Sequence, residues 1–193
     1  MKKYLILLML LGASLTSHPA HSQDATDYKS IAVAAYKKGD TKKAAEISLQ
    51  WLKQKAPDNK PMAQRDGDAV HDANQILGLV ALQEKRVGDA KRFLVAAGTS
   101  PGSTTLETVG PNMHLAQDLL VLGERGIVVA YLNMVSKFWG NISPERRKEL
   151  QKKNPDLLEN IDYLNKENLR YITTWVAQIR AGETPRLNHS FDF

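Results

Sequence analysis

Three stretches of this chain align with one another without gaps, and that self-similarity limits the fold more than any other feature. They read IAVAAYKKGDTKKAA (Ile31 to Ala45), LGLVALQEKRVGDAK (Leu77 to Lys91) and LAQDLLVLGERGIVV (Leu115 to Val129). Each has a small residue early (Ala32, Gly78, Ala116), then a turn (Gly39-Asp40, Lys85-Arg86, Gly123-Glu124), then a second small or apolar residue (Ala44, Ala90, Val128). Apolar residues at three- and four-residue spacing on either side of the turn describe two amphipathic helices. Small side chains where the helices cross let the two backbones approach closely.

Taken more widely, the pattern resembles the tetratricopeptide repeat, W-x2-L-G-x2-Y, then A-x3-F, then P. Tyr28, Ile31, Ala32, Ala44 and Ala45 stand where a first unit requires them. Asn74, Leu77, Gly78, Ala90 and Leu94 do so for a second, and Leu115, Ala116, Val128 and Leu132 for a third. The closing proline is approximate, at Pro57 and Pro101. The chain also departs from the pattern. Ala32 to Gly78 is 46 residues and Gly78 to Ala116 is 38, where an undecorated array steps by about 34. Asn74 replaces the usual aromatic, and Lys85-Arg86 replaces the glycine turn. The likeness covers about residues 25–139, and the run from His71 to Trp139 is also similar to exported helical-repeat bacterial proteins of unassigned function. It implies an all-α, right-handed stack of about three helical hairpins, with units at about 25–57, 71–101 and 109–139.

The segments between and after the repeats refine this expectation. Residues 56–69, with two prolines, a glycine and several charges, read as a surface loop. Residues 98–111 are rich in glycine, serine and threonine and read as a connector, with Pro111 in the first turn of the following helix. Beyond Trp139, Pro144 opens a polar, basic helix, and Asn154-Pro155 opens a longer one. Leu158, Ile161, Leu164, Leu169, Ile172, Val176 and Ile179 lie mostly on one face of that last helix, and Gly182 and Pro185 end it. A final helix with one apolar stripe, about 155–181, is the expected cap on a repeat array. Residues 183–193 read as a tail, and 23–182 as a single domain.

The N-terminus predicts export. Lys2 and Lys3 precede an apolar run from Tyr4 to Leu11, and Ala20-His21-Ser22 fits a signal peptidase site, so residues 1–22 read as a cleaved signal peptide. That run is shorter than the roughly 20 apolar residues a span requires. The expected location is periplasmic or secreted, with no integral membrane span after cleavage. The chain has no cysteine, which excludes disulfides and a lipid anchor on an N-terminal cysteine. Its modest positive charge, +5 over the whole chain, does not mark a nucleic-acid binder.

The sequence carries no familiar catalytic signature: no G-x-S-x-G, no Walker loop, no H-E-x-x-H. The expectation is accordingly a non-catalytic scaffold or adaptor for a protein or peptide in the cell envelope, without a cofactor. The alternative is a small-ligand or cell-wall-associated protein, or a metal-dependent enzyme of that kind, built on His71, His114 and the 98–111 loop. The two histidines lack the ligand spacing of a metal site and read as residues at helix starts, with Asp72 favouring the helix dipole. Asp66-Gly67-Asp68 reads as a turn, because the later acidic ligands of a calcium loop are missing. The basic stretch Arg146, Arg147, Lys148, Lys152 and Lys153 reads as a solvated face, and Phe138, Trp139 and Trp175 as packing residues.

In the family the first helix of each hairpin lines a concave binding surface. Carried onto this chain, that implies a partner site with Lys29, Tyr36 and Lys37 on the first helix, Asp72, Gln75 and Leu79 on the third, and Gln117 and Leu120 on the fifth. Such a mixture suits an extended peptide or a partner helix. If the concavity is closed, Leu79 and Leu120 are simply core.

Overall fold

A computed structural model of the chain describes residues 27–142 and 144–187. The expected signal peptide and the tail beyond Leu187 lie outside the described residues. Within them the chain is all-helical, with nine α-helices and no strand. They are α1 (Tyr28–Lys37), α2 (Thr41–Lys55), α3 (Asn74–Gln83), α4 (Val87–Gly98), α5 (Thr104–Thr108), α6 (His114–Val121), α7 (Arg125–Trp139), α8 (Pro144–Lys153) and α9 (Pro155–Arg180). Among the described residues no helix is long and apolar enough to cross a membrane.

Local chemistry explains where the helices begin. The Asp27 and Asp40 carboxylates accept from the backbone N–H of Ser30 and Lys43, both at 3.0 Å, and so cap α1 and α2. Asn154 does the same for α9, accepting from Leu157 N at 3.1 Å, with Pro155 in the first turn where its missing N–H costs nothing. The turn between paired helices needs one residue with positive φ. Gly39 (φ 77°) and Gly123 (φ 84°) supply it at two turns, and Lys85 (φ 61°) supplies it at the third. A side chain is disfavoured in that conformation, so the α3–α4 turn is strained where its counterparts are relaxed.

α1 packs on α2, α3 on α4, and α6 on α7, while α3 also touches α1, α2 and α6. The small residues singled out by the alignment lie where these helices meet: Ala32, Ala44, Ala90, Ala116 and Val128 are fully buried. A Cβ on Gly78 would stand 2.1 Å from Leu115 Cδ2, so a side chain there would displace the buried Leu115 side chain of α6. The main core joins α3, α4, α6, α7 and α9. In it Trp139 stacks on Trp175 with ring centroids 6.3 Å apart, and Asn168 Nδ2 donates to Trp139 O at 2.8 Å.

The connecting segments are more ordered than their composition suggests. Residues 56–69 contain a short 3-10 turn at Met62–Gln64, and helix three starts early, as a π-helical turn at Ala69–Ala73 that runs into α3. The 98–111 connector folds into α5, capped by Ser103 Oγ accepting from Leu106 N at 3.0 Å, with Leu106 buried. It is pinned to the preceding loop: Ser100 Oγ donates to Gly67 O at 2.8 Å, and Ser103 Oγ donates to Asp68 Oδ1 at 2.6 Å. Pro111 does not enter the next helix. Asn112 Oδ1 accepts from His114 N at 2.8 Å and turns the chain, so α6 starts only at His114.

Candidate functional site

The first helices of the three pairs, α1, α3 and α6, lie side by side, α3 touching both of the others, and all eight residues expected to bind a partner lie on them or on the π-helical turn before α3. They divide into a closed polar network at the helix starts and an open cleft at the helix ends.

The network begins at the surface with Lys29, whose Nζ lies 2.7 Å from Asp72 Oδ2. Asp72 Oδ1 accepts from His71 Nδ1 at 2.7 Å, and His71 Nε2 meets Tyr131 Oη at 2.9 Å. Gln75 Nε2 donates to the same hydroxyl at 3.0 Å, and the hydroxyl lies 3.1 Å from the carbonyl of Asn112. The π-helical turn puts His71 and Asp72 side by side facing inward, although they are adjacent in sequence. Burial alone would raise the Asp72 carboxyl; the bond and charge from His71, with Lys29, outweigh it and hold the group below its ordinary value. Burial and the nearby Asp72 charge push the Tyr131 phenol well above its ordinary range, so it stays protonated.

This arrangement has the residue types of a proton relay but no opening to a substrate, since His71, Gln75 and Tyr131 are fully buried. Both ring nitrogens of His71 are held by protein partners, which leaves no lone pair for a metal. His114 is exposed, with Nε2 4.0 Å from Asp118 Oδ2. The network ties α3 to α1, to α7 and to the segment before α6.

The other end is open. Tyr36 at the end of α1, Leu79, Leu82 and Gln83 on α3, and Asp118, Val121 and Leu122 on and just beyond α6 line a cleft of about 400 Å³. Val121 and Leu122 are 68% and 58% exposed, unusually so for large aliphatic residues standing side by side. Burial raises the Asp118 carboxyl above its ordinary value, partly offset by His114. Burial, and the charge of Asp118, likewise raise the Tyr36 phenol. The C-terminal ends of three helices point their carbonyl dipoles to this side, which adds to the negative character.

The expected partner residues therefore fall into distinct groups. Tyr36 and Leu79 line the cleft. Lys29 and Lys37 are exposed, and Lys29 is already paired. Asp72, Gln75, Leu79 and Leu120 are buried, so Leu79 contributes only an edge and Leu120 is core. Gln117 is half-buried, its Oε1 accepting from the backbone N–H of Leu187 at 2.7 Å. Sequence reasoning missed Asp118, Val121 and Leu122. One signal was present: Leu119, Leu120, Val121 and Leu122 are consecutive, and four consecutive helical residues cannot share one buried face. No family model matches this chain, and no curated protein or solved structure matches it.

Proposed function

We propose that this protein is an exported, non-catalytic scaffold of the tetratricopeptide-like kind, holding a protein or peptide partner of the cell envelope on the side formed by α1, α3 and α6. The observation that carries the reading is the cleft at the ends of these helices, with Val121 and Leu122 exposed beside the half-buried Asp118. In this reading α9 is the cap of a three-hairpin stack. Matched offsets within each pair support the stack, since α3 and α4 both begin 46 residues after α1 and α2, and α6 and α7 begin 40 and 38 residues after α3 and α4. The partner segment presents an apolar side chain to Val121, Leu122 and Leu82, and a lysine or arginine to Asp118. The opposite charge recovers part of what burial costs the carboxylate.

The test is a photo-crosslinking residue at Gln83, on the rim of the cleft, in protein recovered from the envelope fraction. The expected result is one dominant adduct, lost in Leu122→Asp and weakened in Asp118→Lys, with Tyr163→Ala on α9 as a surface control that leaves it unchanged. An adduct pattern identical in all four proteins rejects the cleft as the site.

A further inference from the structure

The cleft that holds Tyr36, Leu82, Asp118 and Val121 lies close to the point where the chain beyond α9 returns to the body. Leu187 is fixed there twice. Its backbone N–H donates to Gln117 Oε1 at 2.7 Å, and its side chain, 1% exposed, packs in the main core. Gln117 and Val121 are four residues apart on α6, so they stand on one face, about one turn from each other. The chain therefore leaves Leu187 about one helical turn from the exposed Val121.

Residues 188–193, which follow in the sequence, read Asn-His-Ser-Phe-Asp-Phe. Six extended residues span about 20 Å. Packed helices stand about 8–10 Å apart, so this length is enough to pass from α6 over α3 to α1, the order in which the three helices touch. In an extended chain alternate side chains face the same way. His189, Phe191 and Phe193 then share a side, and their order matches that of the cleft. An imidazole N–H comes first, where α6 presents the half-buried Asp118. A phenyl ring follows, where Val121, Leu122 and Leu82 offer apolar surface. A second ring comes last, where α1 presents Tyr36. Asp192 carries the charge opposite to that of Lys37, exposed at the end of α1 beside Tyr36.

We propose that residues 188–193 of the same chain lie across this cleft, with His189 donating to Asp118, Phe191 on Val121 and Leu122, and Phe193 on Tyr36, so that a partner enters only by displacing them. The displacement rests on the cleft being the partner site, as proposed above; the contact within the chain does not. Leu187 tethers the segment, and a short tether raises the effective concentration to about the millimolar range, so a contact of modest strength stays closed. The partner that displaces it carries the same pattern, a basic or N–H donor group with an aromatic ring two residues further on.

The experiment places the photo-crosslinking residue at Gln83 in the purified full chain and maps the adduct by peptide mass spectrometry. The expected adduct joins position 83 to residues 188–193 within one chain. It falls about tenfold in the double variant Phe191→Ser, Phe193→Ser, as partial loss of buried aromatic surface implies, and it falls likewise in Leu122→Asp, with circular dichroism showing both variants folded. A second measurement uses no crosslinker: ring currents shift the methyl resonances of Val121 and Leu122 in the wild type, and the double variant loses that shift. An adduct between two chains whose yield rises with concentration assigns the cleft to a second copy and overturns the proposal. So does an adduct that is absent or unchanged in both variants, or methyl resonances that do not differ. In the envelope fraction the double variant should raise the yield of the partner adduct, and an equal yield refutes displacement. An adduct in purified protein with none in the envelope refutes the partner reading alone, and the reverse refutes the contact within the chain alone.

Discussion

Tyr131→Phe is the most informative single change to the interior. It removes one oxygen and no other heavy atom, so packing is preserved and the effect isolates hydrogen bonding. That oxygen meets His71 Nε2 at 2.9 Å, Gln75 Nε2 at 3.0 Å and Asn112 O at 3.1 Å. All three partners are buried, so water cannot take the place of the hydroxyl. Gln75 is already short of one partner, because its Oε1 is buried without a hydrogen bond. Each buried polar group left unsatisfied costs about 1–3 kcal/mol, and incomplete relaxation of three such groups gives a loss of about 4 kcal/mol. Against a typical total of about 5–15 kcal/mol this is severe. For a chain of this size it corresponds to a drop in melting temperature of about 8–16 °C, at roughly 2–4 °C per kcal/mol. Urea unfolding followed by circular dichroism measures it, with an unchanged m-value showing that the compactness of the two states is the same. Tyr36→Phe is the control: its ring is only half-buried, and it should lose less than about 1 kcal/mol. A Tyr131→Phe loss as small as that of the control would mean that the three bonds do not hold the helices together.

Three further outcomes follow from particular residues. Lys85→Gly should stabilise the protein by about 0.5–1 kcal/mol, because Lys85 sits at φ 61° where its counterparts are Gly39 and Gly123; thermal melts that show a loss would contradict the strain. Gly78→Ala should cost about 1–3 kcal/mol, since the new methyl would meet Leu115 Cδ2 at 2.1 Å and push the buried Leu115 side chain out of place, whereas the same change at Gly88, with open space around it, should be near neutral. Asp118→Asn should raise stability at neutral pH. A carboxyl raised in the folded state costs stability above its folded value, and the cost disappears as pH falls toward the unfolded value of about 3.9. The gain should therefore be full at pH 7 and fade in acid, and a gain independent of pH would point to another cause.

Much of the helix layout was legible because it rests on local rules. Period-3.6 apolar spacing, the Asp27, Asp40 and Asn154 caps, and turns at Gly39 and Gly123 all act within a few residues of chain. What composition misjudged was the connectors. The serines and glycines of 98–111 suggest an open loop, yet Ser100 and Ser103 bond to residues 33 and 35 positions away, and no local pattern encodes such partners. The candidate sites divide the same way. Tyr36 and Leu79 were reachable from repeat phase, whereas Asp72 and Gln75, selected by the same phase, are buried, Asp72 bonded to His71 and Gln75 to Tyr131, and no local pattern points to Tyr131 as a partner. Lys29 pairs with the Asp72 that faces it across two helices, a distance in sequence that pattern reading does not bridge.

The bond from Leu187 to Gln117 has a consequence for how the molecule comes apart. It joins positions 70 residues apart, and Leu187 is buried at 1% in the main core. Stacked hairpins that touch only their neighbours can unravel one unit at a time, each with its own stability. The segment that returns from beyond α9 to Gln117 couples α6 to α9, and the His71–Tyr131 contact, 60 residues long, couples the π-helical turn before α3 to α7. Opening α6 or α7 then leaves partners on α9 or before α3 without their bonds. Such long-range closures slow folding, and they turn stepwise fraying into a single cooperative transition. Native-state hydrogen exchange should accordingly find the slowest amides of α3, α6 and α7 opening together, at the free energy of global unfolding.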